Sequence, residues 1–145
     1  MTAYLDSSFL VSLYSPDANT VASVRCFQTA TGSLLITTLT ELEVLNAFEL
    51  RVFRKEYLPA NARLSIAHFE MDLRMGALLL RSLPENVFFR AKRLSRETTT
   101  QIGTRAADLL HVATSLELGV EDFYSFDRRR RRLAEAVNLK LNPMT

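Results

Sequence analysis

Cysteine is nearly missing. Cys26 is the only one in 145 residues, so no internal disulfide can form and no metal site can be built on thiolates. Histidine is confined to His68 and His111, and with one cysteine that leaves no ligand set for structural zinc. Long apolar runs are also lacking: nothing approaches the roughly 18 residues that would span a bilayer. Met1 to Tyr14 carries no basic residue ahead of its apolar part and no cleavage signature. The expectation is a protein neither secreted nor membrane-inserted, working in the cytoplasm. No repeat, low-complexity linker or compositional boundary interrupts the chain, so one domain over residues 1–145 is expected. What is there suffices for a core, since hydrophobic residues make up 48% and charged residues 23%, a balance unlike that of disordered chains.

The formal net charge is +2, and it would be −3 without the five consecutive arginines Arg128 to Arg132. Bulk charge therefore does not mark a nucleic-acid binder, whereas one local patch can attract phosphate.

Short apolar runs alternate with helical patterns. Ala3 to Asp6, Leu34 to Thr37, Phe123 to Phe126 and Leu139 to Leu141 read as strands. Ser7 or Ser8 is placed to cap a helix through Tyr14, and Ala18 to Thr29 repeats apolar residues at helical spacing. Further helices are expected from about Glu41 to Arg54, from Pro59 to about Leu80, from about Glu85 to Glu97, from Asp108 to Leu118 with Gly119 as its cap, and through the arginine run. Strands separated by helices predict an α/β fold with a parallel sheet covered on both faces.

In such sheets ligands collect beyond the carboxyl ends of the strands. Asp6 and Asp127 each follow a strand and precede a helix there, Glu43 lies early in the helix after the second strand, and Asp108 opens a later helix. Four segments can thus bring four acids to one crevice, a donor set suited to Mg²⁺ and to phosphodiester cleavage. Without a cation between them, four such carboxylates repel one another and some of their pKa values rise. Singly, each acid has a plainer reading: Asp6 and Asp127 as helix caps, Asp108 as a helix-start acid, Glu43 and Glu41 as solvated residues. The apolar surroundings of Asp108, with Leu109, Leu110, Val112 and Ala113, favour the combined reading.

Four stretches carry a family resemblance: Tyr-Leu-Asp-Ser-Ser at 4 to 8, the threonine-rich run from Thr37 to Glu43, Arg-Ala-Ala-Asp-Leu-Leu-His-Val-Ala at 105 to 113, and Phe-Tyr-Ser-Phe-Asp at 123 to 127. Together they resemble the PIN domain, the nuclease fold of VapC-type toxins, over nearly the whole chain. The resemblance implies a three-layer α/β/α fold with a short central parallel sheet of four to five strands. It implies a Mg²⁺- or Mn²⁺-dependent ribonuclease with Asp6, Glu43, Asp108 and Asp127 as its acids, metal on Asp6, Asp108 and Asp127, an RNA substrate, a homodimer and inhibition by a cognate antitoxin. The Leu-Thr pair before it and Val-Leu-Asn-Ala after it favour Glu43 as the site glutamate, with Glu41, two residues away, as the alternative.

Around the acids, Ser8 and Ser125 offer hydroxyls that either orient carboxylates or phosphate or act as plain caps. Arg105, Arg128 and Arg129 are candidates for RNA phosphate. The alternative for the arginine run is a solvated helix paired to Glu121, Asp122 or Glu135. His111 lies three residues past Asp108 in an apolar stretch and reads as structural, and His68 as packing or surface. Two other functions compete. One is a PIN-like protein- or RNA-binding module without activity. The other is a phosphatase that also begins strand-Asp, but its chemistry wants a second Asp two positions on, where this chain has Ser8.

Overall fold

Alternation along the strands decides the architecture. The computed structural model describes residues 2–144, and its first strand, β1 (Thr2–Leu5), sends Ala3 and Leu5 to one face and Tyr4 to the other. After β1 come α1 (Ser7–Tyr14), α2 (Thr20–Thr29), β2 (Ser33–Thr37), α3 (Thr38–Phe53), α4 (Pro59–Arg74), β3 (Leu79–Arg81) and α5 (Val87–Ile102). α6 (Ala106–Leu118), β4 (Asp122–Tyr124), α7 (Arg128–Ala136) and β5 (Lys140–Asn142) complete the order. The strands form one parallel sheet in the order β3-β2-β1-β4-β5.

Both faces are apolar, so both are covered. Ala3, Leu5, Leu34 and Ile36 meet Phe9 and Leu10 of α1, Val44 and Phe48 of α3, and Ala62 and Phe69 of α4. Tyr4, Leu35 and Phe123 meet Val87, Ala91 and Leu94 of α5, Leu109, Val112 and Ala113 of α6, and Leu133 and Ala134 of α7. The result is the three-layer α/β/α arrangement with five strands. No helix among the described residues is long and apolar enough to cross a membrane.

The chain runs outward from β1 to β2 and β3 on one side and to β4 and β5 on the other, so the order reverses between β1 and β4. At that switch point the carboxyl ends of neighbouring strands part and leave a crevice. The backbone N–H of Asp6 donates to the carbonyl of Tyr124 at 3.0 Å, fixing the two strand ends side by side.

Several boundaries differ from the sequence reading. The helix expected to run from Pro59 to Leu80 ends at Arg74; Gly76 turns the chain in the left-handed region at φ +80°. Leu79–Arg81 then pairs with β2 as an edge strand. A short apolar run such as Leu78-Leu79-Leu80 suits either element, and pairing with β2 decided it. α3 starts at Thr38 because Thr37 caps it in a reciprocal box with Thr40. α5 continues through Thr98-Thr99-Thr100 to Ile102, the Thr98 hydroxyl bonding back to the Leu94 carbonyl at 2.6 Å. The cap of α1 is Asp6 itself, not Ser7 or Ser8.

Candidate active site

Asp6 is fully buried at the end of β1, and a buried carboxylate must be hydrogen-bonded or paired. It is both. Oδ1 accepts from the Phe9 backbone N–H at 3.0 Å, the helix cap, and from the Ser8 hydroxyl at 2.7 Å. Oδ2 accepts from the Ser125 hydroxyl at 2.6 Å and from Nη1 of Arg130 at 3.2 Å. Asp6 is therefore a cap and a member of a charged cluster at once.

Asp108 stands in the first turn of α6. Its Oδ2 accepts from the Arg105 backbone N–H at 2.8 Å, and its Oδ1 accepts from Nε of Arg130 at 2.9 Å. Glu43, in the second turn of α3, is bonded through Oε1 to Nε2 of His111, while its Oε2 lies 3.9 Å from Nη2 of Arg130. Glu41 makes no ion pair or side-chain hydrogen bond among the described residues. Three acids from three segments thus surround one guanidinium, whose side chain is 11% exposed. Asp127 is placed differently. It caps α7, with Oδ1 accepting the Arg130 backbone N–H at 3.0 Å, and its own N–H donates to the Ser125 hydroxyl at 3.0 Å. It reaches the cluster through Ser125, not through the guanidinium.

The two serines knit the strand ends together. The Ser8 hydroxyl, besides donating to Asp6, accepts the Phe126 N–H at 3.0 Å and lies 3.3 Å from the Ser125 hydroxyl. Arg105 contributes its backbone N–H, and its side chain is exposed. Arg128 and Arg129 are exposed at the start of α7, beside an open groove whose walls include Ser7, Ser8, Phe126, Asp127 and Arg130.

Charge balance follows from this packing. Burial alone pushes Glu43 up, but the His111 hydrogen bond and the charges of His111 and Arg130 outweigh it and hold the carboxyl below the usual glutamate range. Burial works against the charge of Arg130, yet Asp6, Asp108 and Glu43 prevail and raise its pKa. The repulsion expected among unmetallated acids is thus offset by a cation that the sequence reading did not place there.

Three residues of the site lacked a functional reading in the sequence. Arg130 was hidden in a run of five, although capping by Asp127 puts the third helical position under its carboxylate. His111 is buried and bridges Glu43 to the Tyr4 hydroxyl, which lies 2.7 Å from its Nδ1 and 2.8 Å from the Thr40 hydroxyl. Ser7 accepts from Nη1 of Arg130 at 3.2 Å. His68 is exposed. None of the expected pairings of the run with Glu121, Asp122 or Glu135 forms among the described residues.

With this geometry in view, the family follows from comparison. A model of the PIN domain matches residues 3–136. The chain belongs to the PIN domain family. No curated protein matches the sequence. Among solved structures, Mycobacterium tuberculosis VapC20, a sarcin-ricin loop cleaving toxin, superposes with a TM-score of 0.70 at 14% identity, over 90% of this chain and 93% of that one. VapBC2 from Rickettsia felis, bound to a DNA fragment from its promoter, gives 0.66 at 14% identity, over 98% of each chain. FitAcB from Neisseria gonorrhoeae gives 0.64 at 15% identity, over 96% and 95%. At these identities the likeness is one of fold, and this PIN domain shares the fold of VapC toxins.

Proposed function

We propose that this PIN domain is a VapC-type toxin, an endoribonuclease that hydrolyses RNA phosphodiester bonds with Mg²⁺ or Mn²⁺ held by its acids. It acts in the cytoplasm as one domain over residues 1–145, as a homodimer, under control of a cognate antitoxin. The observation that carries the reading is the convergence of Asp6, Glu43 and Asp108, from three segments, on one cation at the switch point of the sheet. Similarity of fold to toxins of toxin–antitoxin pairs supports it.

The donor set fits a hard divalent ion, because the groups turned toward the centre are carboxylate oxygens and a cation already sits among them. As they stand, spaced around a guanidinium, no three acidic, histidine or cysteine side chains among the described residues are gathered closely enough to hold a metal. Asp6, Asp108 and Glu43, whose oxygens face the centre, are the residues that would hold it, with Asp127 beside them through Ser125. When bound, the ion polarises a phosphoryl oxygen and lowers the pKa of water. The chain supplies the rest. Ser8 and Ser125 fix the rotamer of Asp6, the Arg105 N–H fixes Asp108, and His111, backed by Tyr4, fixes Glu43. The exposed guanidinium groups of Arg105, Arg128 and Arg129 bind and orient RNA phosphates.

A second reading, a PIN module that binds RNA or protein without cutting, is favoured by the same Arg130, since a permanently neutralised acid cluster is inert. Purified protein incubated with RNA in excess chelator, and then with Mg²⁺ or Mn²⁺, separates the two. Cleavage that requires the ion and is lost in Asp6→Asn is expected. Cleavage persisting in chelator overturns the metal mechanism, and RNA binding without cleavage at any ion concentration leaves the binding module.

A further inference from the structure

The three acids share a division of labour between their oxygens. Asp6 gives Oδ1 to the Ser8 hydroxyl and the Phe9 N–H, Asp108 gives Oδ2 to the Arg105 N–H, and Glu43 gives Oε1 to His111. Each turns its other oxygen to Arg130: Asp6 Oδ2 at 3.2 Å, which also accepts the Ser125 hydroxyl at 2.6 Å, Asp108 Oδ1 at 2.9 Å and Glu43 Oε2 at 3.9 Å. The oxygens that face the centre are thus the ones the guanidinium holds. A divalent ion and Arg130 compete for the same three atoms, and two cations in contact with one set of oxygens repel each other at close range.

We infer that Arg130 is a built-in counter-cation of the acid cluster, and that a divalent ion binds only by displacing its guanidinium. The inference rests on the metal-dependent reading above and adds to it a switch within the chain. The means of displacement are in the fold. The Arg130 backbone is fixed at the start of α7 by the Asp127 carboxylate, so only the long side chain needs to move, and the open groove along Ser7, Ser8 and Asp127 borders it. The metal-free state keeps its buried carboxylates paired, which a vacant acid cluster would not. The cost appears in metal binding, because only the fraction of molecules with the side chain withdrawn is competent for the ion.

Two measurements on the whole chain test this. In the first, Mn²⁺ is titrated into the parent and Arg130→Gln, with free ion followed by electron paramagnetic resonance. The variant is expected to bind about tenfold more tightly or better, as removal of a competing state predicts. The second uses the parent alone and stands even if the variant does not fold. The Nε–H resonance of Arg130 should be sharp and slow to exchange in chelator, and should become solvent-like when Mg²⁺ saturates the protein. Arg90, whose Nε is bonded to Glu117, should stay unchanged and serve as reference. Equal Mn²⁺ affinity in parent and variant, or an Arg130 Nε–H still protected at saturating Mg²⁺, overturns the displacement while leaving a metal-dependent nuclease intact. Absence of Mn²⁺ binding in both proteins overturns the metal-dependent reading itself, and the switch with it.

Discussion

Arg130 and Arg131 are neighbours of Arg128, Arg129 and Arg132 in one run, yet the two groups live in different media. Arg130 is packed among carboxylates. Arg131 donates Nη1 to the carbonyls of Ser125 at 2.8 Å and Asn142 at 3.3 Å, and Nη2 to that of Pro143 at 2.8 Å, tying the end of β5 to the loop that carries the site. The other three stand in solvent. Residue type is constant across the run, so the difference comes from helical register alone: successive side chains point about 100° apart, and the Asp127 cap sets the phase. A charge run is therefore not one feature. Here it divides into a partner of buried carboxylates, a backbone tie and an exposed edge.

The most severe way to break the inward half is through its acid partners. Asp108→Asn and Asp6→Asn each remove a charge that both Arg130 and the proposed metal need. RNA cleavage should fall by at least about 100-fold, a loss already reached by changes one layer out from a metal, while circular dichroism shows a folded protein. Full activity in both variants would reduce these acids to caps. Arg131→Ala comes next. It removes a charged donor from three carbonyls and should cost about 1.5–3 kcal/mol, read as a drop in thermal midpoint of about 5 °C or more. Cleavage well below that midpoint should persist, and an unmoved midpoint would put Arg131 with the solvated arginines.

Much of this was legible in the chain. The short, continuously apolar runs at Ala3-Tyr4-Leu5 and Leu34-Leu35-Ile36, set between helical patterns, give the layered fold because burial on both sheet faces leaves few other solutions. Asp6, Glu43, Asp108 and Asp127 stand out because strand ends and helix starts are recognisable locally. The strand at Leu79–Arg81 was not legible, since its pairing with β2 is a long-range choice that three residues do not encode. Nor was the identity of the central arginine. Picking Arg130 over Arg128 and Arg129 requires the phase of α7 and the position of α6 beside it, which no window of sequence contains. His111 looked structural, and its packing bears that out, but its hold on Glu43 depends on an approach across 68 positions.

The outward half is broken by charge alone. Replacing Arg128 and Arg129 with Gln should weaken binding to single-stranded RNA and lower its salt slope by about 0.7 for each phosphate no longer neutralised. Stability should stay within about 0.5 kcal/mol, as for exposed residues without partners. An unchanged slope in binding measured across a salt series would assign these side chains to solvation only.

The smallest expected effect sharpens the comparison from the acid side, by setting Glu41 against Glu43. Both lie early in α3, two positions apart, and only Glu43 meets His111 and Arg130. Its folded pKa is lowered, so its contribution to stability is fully present above the unfolded value, near 4.5. That contribution is lost as pH falls from there through the folded pKa. Urea midpoints measured in chelator from neutral to acid pH should therefore differ between the two variants. Glu43→Gln should be less stable than the parent at neutral pH, and the gap should close as the parent's own Glu43 becomes protonated. Glu41→Gln should track the parent throughout and retain its cleavage activity, because Glu41 makes no ion pair or side-chain hydrogen bond among the described residues. If instead Glu41→Gln narrows the acid limb and lowers cleavage while Glu43→Gln does neither, the two glutamates exchange roles, and Glu41 is the acid that the site requires.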